Sequence, residues 1–246
     1  MRYISFCFIL DKYDVNKYNN MDIDKVLEEA FMTKHKLVMF DLDGTLSESA
    51  QGIRECIILT LNEMGLPVPE LDDYSKYIGP PLYVTFQRLC GLTGEQARKG
   101  AEIYVKHYIK KGIYMNKAYT GLRELITSLA SAGKKTAVAT SKNEELAKDV
   151  LKHIGLYDCF DFICGSGLDG TRKEKHDVIE YVMKKTGFDG AQSVMIGDTR
   201  FDAEGAKIAG CDFIGVLYGY GVKSEMERYG AKAFAGSVSE LSEILL

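Results

Sequence analysis

Proline is scarce in this chain of 246 residues, 4 against 24 glycines, which excludes collagen-like and proline-rich extended architectures. Long apolar runs are missing too. None approaches the roughly 20 residues needed to cross a bilayer, so no membrane partner is expected. Excess positive charge is also absent. Lys and Arg total 31 against 35 Asp and Glu, for a net charge of −4 and a pI near 5.7. Such a chain lacks the basic field of a general nucleic-acid binder. The six cysteines (Cys7, Cys56, Cys90, Cys159, Cys164, Cys211) form no Cys-x-x-Cys pair. A zinc ribbon or redox motif is therefore not expected, and reduced thiols in a cytoplasmic protein are the simplest reading. The four histidines (His35, His107, His153, His176) show no His-Glu-x-x-His spacing and read as surface or core residues.

What remains is a globular composition, 46% hydrophobic and 27% charged. The length suits one large domain, or a core carrying a smaller insertion. Residues 3–10 are apolar behind Arg2, but Asp11, Lys12, Tyr13 and Asp14 follow at once with no small-residue cleavage site. A secretory signal is not expected. From Asp22 to Met32, Ile23, Val26, Leu27, Ala30 and Phe31 line one side of a predicted amphipathic helix. Met32 is a natural start for the compact domain, and residues 1–35 are set apart as an extension with no assigned role.

Five short apolar runs read as strands buried on both faces: 36–41, 135–140, 160–164, 193–198 and 212–217. Helical periodicity fills the intervals at 144–153, 176–185 and 203–209. This alternation predicts an α/β fold with a doubly wound, mainly parallel sheet and its ligand site at the carboxyl ends of the strands. Residues 53–118 break the rhythm with helical stretches at 53–64, 81–90 and 94–111 and no strand. That is more chain than a crossover needs, so it reads as an inserted helical cap on a core of 36–52 and 119–246.

Chemistry concentrates at the predicted strand ends. Asp41-Leu42-Asp43-Gly44-Thr45 places two carboxylates two residues apart where a buried strand opens into a glycine turn. Anions so close repel unless a cation joins them, and an oxygen-only donor set favours a hard divalent ion, most simply Mg2+. The second strand ends in Thr140-Ser141-Lys142, whose hydroxyl suits a phosphoryl oxygen. The fourth runs into Gly197-Asp198 with Asp202 four residues on. Asp198 is expected on the metal. Asp202 is expected to buttress it from behind, or to serve only as a helix cap. At a helix start, Lys175, preferred over Lys173, can neutralise phosphate and nucleophile together.

These four motifs, in this order, resemble the haloacid dehalogenase (HAD) superfamily of hydrolases over residues 36–246. The chain is most similar to the phosphoglycolate phosphatase-like branch with a helical cap. Gly165 to Arg172 is similar to a 5′-nucleotidase-like subgroup, and Ile78-Gly79-Pro80-Pro81-Leu82 to a cap segment facing the site. One departure is Lys175-His176-Asp177 in place of the common Lys-Pro-x-Pro. The resemblance implies a Rossmann-like core and Mg2+ held by the Asp41 carboxylate, the Asp43 backbone carbonyl and Asp198. It implies that Asp41 takes the phosphoryl group and that Asp43 serves as general acid, then base. Thr140 and Lys175 would stabilise the equatorial oxygens, helped by backbone N–H groups around Leu42 and Ser141 and by Gly44, Thr45 and Lys142. Arg172, Gly79 and Pro80 are the expected specificity positions. The implied activity is a phosphomonoesterase acting on a small phosphorylated metabolite, phosphoglycolate or a nucleoside 5′-monophosphate. Dehalogenase members lack the second acid, present here as Asp43, and mutases commonly carry valine where Thr45 stands.

Rival readings fit less well. Gly165-x-Gly167-x-x-Gly170 matches a dinucleotide fingerprint, but a charged run follows it where small apolar residues should pack. The next acid of the right kind, Asp198, also lies well beyond the roughly 20 residues expected. A phospho-acceptor signalling module would not need so large an insertion. A non-catalytic binding protein would have little use for costly paired carboxylates.

Overall fold

The computed structural model describes residues 34–69, 78–80, 82–88, 90–167 and 171–246. The helix predicted over 22–32, the Met32 start, Pro81 and part of the Gly165–Arg172 segment lie outside these residues. Strands β1 (Leu37–Phe40), β4 (Lys135–Asn143), β5 (Phe162–Ser166), β6 (Ser193–Gly197), β7 (Asp212–Val216) and β8 (Ala233–Ala235) form one sheet in the order β5-β4-β1-β6-β7-β8. Every neighbouring pair is parallel. All four β1 residues are buried, as an apolar run covered on both faces requires.

The pleat splits the core in two. Val38 and Phe40 face one side with Val138, Val194 and Ile196. There they meet helices α4 (Leu122–Ser131), α5 (Glu144–His153) and α9 (Val238–Leu245). Leu37 and Met39 face the other side with Ala137, Ala139 and Met195, under α6 (Lys175–Thr186), α7 (Arg200–Ala209) and α8 (Lys223–Arg228). Helices on both faces of a parallel sheet are the doubly wound arrangement expected from the alternation. No helix among the described residues is long and apolar enough to cross a membrane.

Local chemistry fixes the helix starts. The Asn143 side chain accepts from the N–H groups of Glu145 and Leu146 to open α5, and acidic residues in its first turn complement the dipole. Glu174 and Asp177 form a reciprocal capping box at the start of α6. Gly187, in the left-handed region, ends that helix. β5 begins two residues later than the apolar run suggested. Phe160 instead packs edge-on against Phe40, and the Asp161 carboxylate accepts from the Thr136 N–H.

Between residues 48 and 117 lie helices α1 (Ala50–Glu63), α2 (Leu82–Arg88) and α3 (Gly94–Lys110), then a 3-10 turn at Gly112–Met115. The two connections to this block pair with each other. Ser47–Glu48 (β2) and Lys117–Ala118 (β3) make a short antiparallel ribbon that the sequence reading did not anticipate. The Ser47 hydroxyl donates to Asn116, whose amide in turn donates to the Gly112 and Ile113 carbonyls. Both connections are thus tied at one place.

Candidate active site

Sheet order explains the site. β1 lies between β4 and β6, so Asp41, Thr140 and Asp198, each the first residue beyond its run of ladder pairs, emerge side by side. β4 loses regular register between Ala139 and Asn143. Thr140-Ser141-Lys142 therefore leaves the ladder at the strand mouth. α6 lies across this end and brings in Lys175.

Asp41, Asp198 and Asp202 are all buried, and each offers a carboxylate oxygen within 4.8 Å of the other two. The ammonium of Lys175, a buried residue, lies 2.7 Å from Asp41 Oδ1 and 2.7 Å from Asp202 Oδ1, and it donates to the Ala139 carbonyl at 3.2 Å. Lys173 is exposed. Asp202 divides its work between its two oxygens. Oδ2 accepts from the Thr199 N–H and hydroxyl, closing the capping box of α7, while Oδ1 faces Lys175. The cap reading is corrected in position: Thr199 is the N-cap of α7, and Asp202 closes its box from the third helical position.

Asp198 accepts from the Thr45 hydroxyl at 3.2 Å and from the Tyr220 N–H at 2.8 Å. Its surroundings demand glycine. Gly44 has φ +84°, and a Cβ on Gly44 or Gly219 would overlap the Asp198 side chain. Thr140 is almost fully buried, and its hydroxyl accepts from the Lys142 N–H.

The Asp43 side chain turns elsewhere. Its Oδ2 lies 2.9 Å from the Lys142 ammonium, which also donates to the Tyr108 hydroxyl at 3.1 Å. Lys142 thus meets Asp43, not open space. Arg172 is also engaged. It donates to the Gly165 carbonyl, pairs with Glu144 at 3.3 Å and lies 4.4 Å from the centre of the Tyr181 ring. The Gly79-Pro80 corner reaches the fourth motif, since the nearest atoms to a Cβ on Gly79 would be those of Phe201 and Thr199.

Burial dominates the electrostatics. Desolvation, partly offset by Lys175, pushes the Asp41 carboxyl up to about 6. Desolvation, then the nearby Asp202 and Asp41 charges, raises Asp198 well above the ordinary carboxylate range. For Lys175, burial alone would lower the ammonium, but Asp202 and Asp41 outweigh it and hold the group above its ordinary value. The carboxylates strain against one another, and one lysine does not neutralise three of them. Three buried oxygen donors close together fit a hard divalent cation.

The model of the haloacid dehalogenase-like hydrolase family matches residues 38–216. The chain belongs to that family. Several curated relatives of this HAD-like chain cover most of its length. Tyrosine-protein kinase PtkA of Mycobacterium tuberculosis is 37% identical over 85% of this chain and 72% of its own. A 5′-nucleotidase of Pseudomonas aeruginosa is 32% identical over 85% of this chain and 94% of its own. A phosphoglycolate phosphatase of Aquifex aeolicus is 31% identical over 75% and 86% respectively. Among solved structures, a predicted phosphatase from Clostridium acetobutylicum superposes with a TM-score of 0.81 at 37% identity, over 85% of this chain and 97% of that one. Within the family this chain is a HAD-like phosphatase.

Sequence reasoning missed Tyr220 and Tyr108. Tyr220 lies just past the carboxyl end of β7, where the strand-end rule applies as it does to Asp198. Its hydroxyl accepts from the N–H groups of Ser49 and Ala50, at 2.7 and 3.0 Å, where α1 begins. Tyr108 sits in the last turn of α3, and no local pattern marks it.

Proposed function

We propose that this chain is a Mg2+-dependent phosphomonoesterase that hydrolyses small soluble organophosphates through a phosphoryl group carried on Asp41. The carrying observation is the buried meeting of Asp41, Asp198 and Asp202 around Lys175. Asp41, Asp198 and the Asp43 backbone carbonyl would hold the ion, with Asp202 close enough to join or to fix the others. Bound there, Mg2+ supplies positive charge shared between the nucleophile and the phosphoryl oxygens.

In the first step an Asp41 oxygen forms a bond to phosphorus while the ester P–O bond breaks, and the departing alkoxide takes the Asp43 proton. In the second step Asp43 takes a proton from water. That water attacks phosphorus and frees the Asp41 carboxylate. Lys175 tethers one Asp41 oxygen throughout, and with Thr140 it meets charge on the equatorial oxygens. Burial of Asp41 keeps bulk water from competing.

The helical block between residues 53 and 118 acts as a cap and selects the substrate. The 5′-nucleotidase and phosphoglycolate phosphatase relatives make nucleoside 5′-monophosphates and phosphoglycolate the first substrates to test, with a cytoplasmic setting. Phosphate release would be screened across small phosphorylated metabolites with and without Mg2+. Asp41→Asn is expected to abolish release while leaving the circular dichroism spectrum unchanged. Near-normal release by Asp41→Asn would remove the nucleophile assignment. The kinase relative supplies a second reading, phosphoryl transfer to protein tyrosine. Label appearing on tyrosine from γ-labelled ATP, with no phosphate release from any monoester, would favour it.

A further inference from the structure

Lys142 holds a position that phosphate binding does not explain. Its side chain is 9% exposed, and the Tyr108 ring centre lies 4.3 Å from its ammonium. Two polar contacts fix it, Asp43 Oδ2 at 2.9 Å and the Tyr108 hydroxyl at 3.1 Å. Tyr108 is itself fully buried, stacked on Tyr104 with ring centres 5.5 Å apart, and accepts from the Asn116 amide at 3.0 Å. Asn116 in turn accepts from Ser47. A continuous series of contacts therefore runs from the ribbon at the base of the helical block, through α3, to Asp43.

The second observation lies on Asp43. With Oδ2 engaged by Lys142, its Oδ1 is buried and has no hydrogen-bond partner among the described residues. A buried carboxylate oxygen without a partner is costly unless a reacting group or water meets it. The split leaves one oxygen pinned and the other unpartnered.

Resting on the function proposed above, we infer that Lys142, carried by Tyr108, is a positioning residue that orients Asp43 to protonate the leaving group. The helical block thereby contributes to the acid step through Tyr108, without Tyr108 touching substrate.

Leaving-group dependence tests this. Benzyl phosphate releases an alkoxide that needs a proton, whereas 4-nitrophenyl phosphate releases a stable phenolate that does not. The measure is kcat/KM, which ends at departure of the leaving group and leaves out the later water attack. Asp43→Asn serves as the reference, expected to lose about 100-fold or more on benzyl phosphate and far less on 4-nitrophenyl phosphate. Lys142→Met is expected to lose roughly 10-fold or more on benzyl phosphate and under about 3-fold on 4-nitrophenyl phosphate, a fraction of that general-acid effect. Tyr108→Phe keeps the ring and its stacking. It should fold in every case and lower the benzyl to nitrophenyl ratio in the same direction by about 3-fold, the share of one hydrogen bond. Equal losses on both substrates, or an unchanged ratio in Tyr108→Phe, would overturn the inference. If Asp43→Asn also failed to discriminate, the acid assignment itself would fall; discrimination by Asp43→Asn alone would sink only the roles of Lys142 and Tyr108.

Discussion

Removing and restoring Mg2+ across pH should expose the strain among the buried carboxylates. Burial holds the Asp41 carboxyl at about 6, above the 3.8 of a free side chain. Between those values the metal-free folded protein binds a proton that the unfolded chain does not. A raised carboxylate stabilises the fold below the unfolded pKa, and that contribution is lost as pH rises through the folded one. The gap corresponds to about 3 kcal/mol at most. Metal-free protein should therefore lose stability from pH 4 toward pH 7, through this cluster alone. Mg2+ binds the ionised carboxylates and competes with protons, so its benefit has the opposite pH dependence. At 100 times its dissociation constant it adds about 2.7 kcal/mol, or roughly 5–10 °C in Tm for a chain of this size. Thermal melts followed by circular dichroism, with EDTA or with Mg2+, at pH 5 and 7.5, provide the assay. A gain at pH 7.5 that shrinks at pH 5 is expected. Equal gains at both values, or no gain at pH 7.5, would refute the assignment of this cluster to a cation.

Two further substitutions test the same geometry. Lys175→Met leaves Asp41 and Asp202 without their shared counter-ion, so urea unfolding of the metal-free protein should show a loss of about 3–5 kcal/mol. A loss below about 1 kcal/mol would mean that the carboxylates are already neutral without it. Gly44→Ala forces a side chain into a left-handed backbone position and against Asp198. It should cost about 1–3 kcal/mol and remove the Mg2+ gain in Tm, whereas an unchanged gain would place the ion away from Asp198.

Much of the core was legible because parallel strands buried on both faces advertise themselves as short apolar runs. The run at 36–41 became β1 and ends at Asp41, and the run at 193–198 became β6 and delivers Asp198. The pattern at 144–153 became α5 with the same limits. β2, β3 and β8 escaped notice because two or three residues carry no period. At the site, proximity along the chain suggested Asp43 as a companion of Asp41, and the strand-end rule suggested Asp198. Side-chain direction was not legible. Asp43 turns to Lys142, which Tyr108 in turn holds, both 65 residues or more away in sequence, and Asp202 occupies the carboxylate cluster. Contacts of such range leave no local trace.

The central place of β1 has a consequence for how the molecule comes into being. The first of the described strands hydrogen-bonds on both sides to strands made much later, β4 and β6. During synthesis it has no neighbour in the sheet until the helical block has been translated, and its second edge waits for β6. Asp198 then gains its backbone donor only when Tyr220 follows. The nascent chain must therefore shelter an apolar strand until β4 arrives, and one of its edges until β6 does, the circumstance in which aggregation competes with folding. The carboxylate cluster is therefore completed only after β6, β7 and Tyr220 have followed the helical block.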